Sequence, residues 1–320
     1  MKKFLKYFLI MMFLLLTACG KVTEREARTA LSKHLKARYN EEFCIGLIGK
    51  RSDGSKTWYE AEIYPKKHRG DRYYYSSGNV NIKKSLFGEH IDYVGDIYSL
   101  VLLNESANEF YLPKLKELFG ENVLPIFNTD VGRLAIKPDF YTTLKESKEE
   151  NRILELKGGI YIFGRVENDE DREKYREEIY KFLSFMKETG TFEYVDLDIL
   201  VIDERILLDE FKNNTIGTLT ELNEINEKYV SEDKFLEKRE KIMNKLNIYF
   251  DENKYYKSNI DEINRNNLRK DGAAIYTRGN NLLYLKAYSP KYIKSQKLDN
   301  REIREYNSIS DVKFDWERWQ

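Results

Sequence analysis

Apolar residues in this chain recur at two different spacings, in short blocks that follow one another without a regular rhythm. From Trp58 to Tyr64 they alternate, with Tyr59, Ala61 and Ile63 on one side and Trp58, Glu60, Glu62 and Tyr64 on the other. That is the period of a half-buried strand. Elsewhere they return every three or four residues, as a helix requires: Ala27, Ala30, Leu31 and Leu35 over 23–39, then Tyr175, Ile179, Phe182, Leu183 and Met186 over 169–187. Such mixed local runs lack the steady strand–helix alternation of a parallel sheet. They predict an α+β fold of two small modules, each mixing an antiparallel sheet with helices. A chain of 320 residues has room for about two such bodies.

The remaining elements are read from caps and turns. Thr23 and Glu26 stand at capping-box spacing at the head of the first helix. Strands are expected at Phe43–Ile48, Tyr73–Tyr75 and Val80–Ile82, with Ser52-Asp53-Gly54-Ser55 as a turn. A second helix over 105–119, apolar at Phe110, Leu115, Leu118 and Phe119, stops at Gly120. The middle of the chain reads β-β-α-β. Ile153–Leu156 and Ile160–Val166 flank Gly158-Gly159 as a hairpin, the acid-headed helix from Asp169 follows, and Phe192–Ile202 is the most strand-like run. Helices at 217–229 and 232–247, the second capped by Ser231, lead to a closing hairpin of Ala274–Thr277 and Leu282–Tyr288. Residues 290–320 read as a polar tail containing Trp316 and Trp319.

The first nineteen residues concern address rather than fold. Lys2, Lys3 and Lys6 precede an unbroken apolar run of ten residues, Tyr7 to Leu16. At 1.5 Å per helical residue the run reaches about half of a ~30 Å hydrocarbon core. Leu16-Thr17-Ala18-Cys19-Gly20 follows and resembles the lipobox of bacterial lipoprotein precursors. The resemblance implies a signal peptide over 1–18, lipidation of Cys19 and anchorage in the cell membrane on its exported side, the body following on a tether. An ordinary cleavable signal that happens to end near a cysteine is the alternative. Two or three acyl chains, at about 0.8 kcal/mol per buried methylene, make attachment effectively permanent. In lipoproteins of two-membrane bacteria an Asp after the cysteine commonly retains the protein at the inner membrane. Gly20 stands there instead, which favours the outer membrane if the host has two.

A second resemblance is softer. The helix running into Arg38-Tyr39-Asn40-Glu41-Glu42-Phe43, the strand ending Ile63-Tyr64-Pro65-Lys66 and the Phe119-Gly120 helix end look like the N-terminal α/β module of uncharacterised lipoproteins from low-GC bacteria. It covers roughly 23–128 and implies no activity. The expected organisation is therefore 1–18 signal, 19–128 N-terminal module, 129–289 C-terminal module and 290–320 tail.

Charge narrows the partners. Basic and acidic residues are equal at 54 each, and losing the three signal lysines leaves a small negative excess. Nucleic acid is thereby disfavoured as a partner. The membrane, through Cys19, and an envelope or extracellular protein or glycan remain. With Cys19 lipidated, Cys44 has no partner for an intrachain disulfide and reads as a small hydrophobe in a strand.

The chain contains no glycine-rich phosphate loop, Gly-x-Ser-x-Gly elbow, His-Glu-x-x-His helix or Cys-x-x-Cys pair, and its histidines are only His34, His68 and His90. No cofactor or metal is expected. The weak catalytic candidates are Asp196 and Asp198, which share one strand face, with Glu204 continuing it. Paired acids of this kind bind a cation or do acid–base work on a glycan, but they are equally the solvated face of a strand whose other side is Val195, Leu197, Ile199 and Val201. A calcium-loop look-alike from Asp251 to Glu262 fails, because Tyr256 stands where the turn needs Gly. Arg69-Gly70-Asp71 and the Tyr73-Tyr74-Tyr75 run are read as a turn and a Tyr-rich strand. The expected role is a non-catalytic binding module at the cell envelope, with an envelope hydrolase or metal-dependent enzyme as the alternative.

Overall fold

The computed structural model describes residues 20–85, 88–131, 138–204, 281–298, 304–315 and 317. The chain divides into two compact units between Leu102 and Leu103. Each holds one four-stranded sheet together with helices, so the fold is α+β. The division lies ahead of the expected 128/129 boundary because the strand after Gly120 pairs within the second sheet.

In the first unit, helix α1 (Glu24–Tyr39) is followed by an antiparallel meander of β1 (Phe43–Ser52), β2 (Thr57–Pro65), β3 (Ser76–Ser85) and β4 (Gly88–Asp96). The α1 cap forms as its spacing predicts. The Thr23 hydroxyl accepts from the Glu26 N–H at 3.3 Å, and the Glu26 carboxylate accepts from the Thr23 N–H at 2.8 Å. Asn40, in the left-handed region, ends the helix by donating to the Lys36 carbonyl. Ala27, Leu31 and Leu35 are fully buried, and α1 packs on β1, β3 and β4. On β2, Tyr59, Ala61 and Ile63 are buried, as the alternation requires. Packing begins at once: the Glu89 N–H donates to the Gly20 carbonyl, the Val22 N–H to the Glu89 carboxylate, and Val22 is buried. Among the described residues the chain is thus engaged with β4 from Gly20 onward. Tyr73–Tyr75 is not a strand either. Arg72–Tyr74 form a 3₁₀ turn in which the Asp71 carboxylate accepts from the Tyr73 N–H, and β3 starts only at Ser76.

Helix α2 (Tyr98–Phe119) spans the division. Beyond it lie β5 (Val123–Asp130), α3 (Phe140–Glu149), β6 (Glu155–Gly164), α4 (Asp169–Glu188), β7 (Val195–Asp203), β8 (Asn281–Tyr288) and α5 (Pro290–Gln296). The sheet order is β5-β6-β7-β8. β6 and β7 are parallel, with α4 in the connection between them, and the outer pairs are antiparallel. The expected hairpin at Gly158-Gly159 is instead the middle of one continuous strand. Gly158 has φ 143°, and a Cβ there would stand 2.1 Å from the Ile126 carbonyl oxygen, so glycine marks close approach by β5 rather than a turn. Val195, Leu197, Ile199 and Val201 are buried on the face opposite Asp196 and Asp198.

The stretch read as a polar tail is pinned at several points. Tyr292, Ile293, Tyr306, Val312 and Phe314 are buried. Arg176 of α4 donates to the Val312 carbonyl, pairs with Glu317 at 2.5 Å and lies over the Phe314 ring. The helices expected at 217–229 and 232–247, the Ala274–Thr277 arm and the Asp251–Glu262 segment lie outside the described residues.

Candidate functional site

β7 and β8 bring the strand carboxylates under a single lysine. Asp198 is the register partner of Lys286, whose Nζ lies 2.7 Å from Asp196 Oδ1 and 3.0 Å from Asp198 Oδ1. Two phenols complete the set: Tyr284 donates to Asp198 Oδ1 at 2.6 Å and Tyr292 to Asp196 Oδ2 at 2.9 Å. Tyr292 is held in place by Ser289, the buried α5 cap. The Ser289 hydroxyl accepts from the Val195 and Tyr292 N–H groups and donates to the Glu193 carbonyl.

The electrostatics follow from that packing. Burial pulls the Lys286 ammonium down, but the two carboxylates outweigh it and hold the group above its usual value. Burial, then the bond to Asp198, raises Tyr284; burial, then the bond to Asp196, raises Tyr292. At neutral pH the lysine is a cation and both phenols keep their protons. The ammonium occupies the space between the carboxylates, where an attacking water or a bridging cation would have to sit. This arrangement ties β7 to β8 and α5.

Glu204 is not brought to the pair. It lies just past the end of β7, roughly 20 Å along the chain from Asp198 at about 3.3 Å per strand residue, and its charge is felt by Tyr175 of α4. His34 is engaged by Asp96, His68 stacks on Tyr74, and Cys44 is half-buried in β1 opposite Tyr64. Among the described residues, no three His, Cys, Asp or Glu side chains gather as a metal site would need. Residues 1–19, Cys19 among them, lie outside the described residues.

Sequence reasoning missed two features of the first unit. One is Asp96, whose side chain is wholly buried. It receives hydrogen bonds from Arg38 Nη1 at 3.1 Å, Tyr39 OH at 2.6 Å and the Tyr98 N–H at 2.9 Å, with His34 Nε2 at 2.8 Å. An Asp just ahead of the α2 start was the available signal. The other is a groove of about 470 Å³ on the outer face of the first sheet, lined by Leu47, Gly49, Arg51, Glu60, Glu62, Tyr75 and Ser77, among others. A bulge between Ile45 and Ile48 creates it by setting Gly46 and Leu47 opposite Glu62 alone. Leu47 is turned out, 89% exposed, and Gly49 leaves the floor bare.

The groove contrasts with the aspartate seam in how its polar groups are engaged. Arg51 and Glu60 pair loosely at 3.6 Å across its rim. The Glu62 carboxylate and the Ser76 and Ser77 hydroxyls make no side-chain hydrogen bond or ion pair among the described residues. Tyr75 enters stacked on Tyr64, with ring centroids 4.1 Å apart. No protein-family model, curated protein or solved structure matches the chain.

Proposed function

We propose that this chain is a lipoprotein anchored through Cys19 on the exported side of the membrane, and that its body is a non-catalytic binding module. The observation that carries the binding part is the groove of the first sheet. It gathers the Glu62 carboxylate and the Ser77 hydroxyl, which have no side-chain partner among the described residues, beside an aromatic pair and an exposed leucine, while the strand acids are already engaged by Lys286, Tyr284 and Tyr292. The anchor rests on the order of basic, apolar and Leu-Thr-Ala-Cys segments. No helix among the described residues is long and apolar enough to cross a membrane.

Metabolic labelling with an alkynyl fatty acid tests the anchor. The wild type takes up label and Cys19→Ser does not; label in Cys19→Ser overturns it. Zymography on peptidoglycan with chromogenic esters and glycosides tests the body. No turnover is expected, and turnover abolished by Asp198→Asn in a folded protein would establish the hydrolase instead.

A further inference from the structure

We infer that the groove on the outer face of the first sheet binds a neutral, hydroxyl-rich saccharide; this deepens the binding-module reading above and rests on it. Three features of the groove point to that ligand. The first is acceptor chemistry. Glu62 crosses over Gly46, where a Cβ would stand 2.9 Å from its Oε1, and its carboxylate has no partner among the described residues. A carboxylate in that position accepts from paired sugar hydroxyls, each a donor and an acceptor, and charge-assisted bonds of this kind are among the stronger ones. The Ser77 hydroxyl, opposite Glu62 on the next strand, supplies a group able to give or take a proton along the same line.

The second feature is an apolar surface to match a sugar ring's C–H face. Tyr75 is stiffened by its parallel stack on Tyr64, at an interplanar angle of 6°. An aromatic face carries partial negative charge and attracts the polarised C–H groups of a pyranose. Leu47, almost fully exposed on the bulge, forms an apolar wall without a partner in this unit's core. The third is shape. The groove is open and floored by glycine, which suits a ring lying along the sheet better than a compact ion. A cationic ligand is the less favoured reading because Arg51 shares the rim with the acids.

The test is isothermal titration of the full chain with chitohexaose, cellohexaose and mannohexaose, alongside a hexalysine peptide. Gly49→Phe fills the groove. Gly49 has an ordinary backbone, and the nearest atom to an added Cβ is Arg51 Cζ at 3.9 Å, so this variant keeps its fold. At least one hexasaccharide is expected to bind the wild type. Gly49→Phe abolishes that binding, Tyr75→Ala weakens it about tenfold, and Asp198→Asn leaves it unchanged. Failure of all three saccharides, or binding indifferent to Gly49→Phe, overturns the proposal. Hexalysine binding that Gly49→Phe removes, with no saccharide bound, overturns the ligand class while leaving a binding module. Cleavage of a bound saccharide keeps the ligand class and overturns the non-catalytic reading.

Discussion

Gly78 of β3 lies so close beneath Leu31 of α1 that a Cβ at Gly78 would stand 2.8 Å from Leu31 Cδ1. Leu31 is fully buried, and Ile63 closes the other side at 3.4 Å, so neither neighbour has room to retreat. Gly78→Ala is therefore expected to destabilise the first unit by about 1–3 kcal/mol through overpacking. Urea denaturation measures it. Gly49→Ala, with only ordinary contact at its Cβ, is the control and is expected to be neutral or slightly stabilising. Equal effects of the two changes would show that the helix does not rest on Gly78.

Lys286→Met tests whether the aspartate seam is structural. The substitution leaves Asp196, with a side chain 19% exposed, and Asp198, 38% exposed, as like charges on one strand face. Loss of a fully buried partner costs about 3–5 kcal/mol, and partial exposure lowers the expectation here to about 1–3 kcal/mol at pH 7. Adding Asp196→Asn and Asp198→Asn to Lys286→Met should recover most of the loss. Absence of recovery would mean that Lys286 acts through packing alone.

Much of the fold is legible in sequence where period and cap agree. α1 has its capping box, β2 its strict alternation and α4 its acid-headed first turn with apolar residues at helical spacing. Legibility fails where tertiary contact overrides the local signal. β4 is an edge strand with much of its length exposed, so Gly88–Asp96 shows no clear buried face. Helix α3 buries Thr143 and Ser147 among its contacts, which mutes its apolar stripe. Gly158-Gly159 has the composition of a turn but the geometry of a strand crossing. The groove depends on a bulge, and a bulge is a property of pairing between β1 and β2 rather than of either strand alone. The acids at 196 and 198 were readable as neighbours on one face. The lysine between them comes from a strand more than eighty residues away, and no local pattern announces it.

Asp96 should be the most sensitive polar position in the first unit. Its carboxylate joins the last two turns of α1, through His34, Arg38 and Tyr39, to the start of α2. Asp96→Asn puts an amide N–H₂ against groups that are already donors, and Asp96→Ala leaves them without an acceptor. Both should cost about 2–4 kcal/mol, the alanine change at least as much as the asparagine. Hydrogen exchange of the Lys36–Asn40 amides reads the same link locally and should quicken in either variant. Unchanged exchange there would mean the α1 end is held by its ring contacts with Phe43 and Tyr98 instead.

The closing segment supplies a pH-dependent contact. Burial pushes the Glu317 carboxyl up, but hydrogen bonds from the Arg176 guanidinium and the Phe314 N–H outweigh it and hold the group below its ordinary value. An unfolded Glu titrates at about 4.3, so in the window below that value the unfolded chain binds the proton first. Stability from this pair is therefore fully present above about pH 4.3 and is lost as pH falls through the lower folded value. Glu317→Gln should destabilise by about 1–3 kcal/mol at pH 7, because a charged hydrogen bond to a largely buried guanidinium is weakened. Urea titrations of wild type and variant from pH 7 to pH 3 should show that difference shrinking on the acid side. A difference that holds constant down to pH 3 would mean that ionisation of Glu317 is not its source.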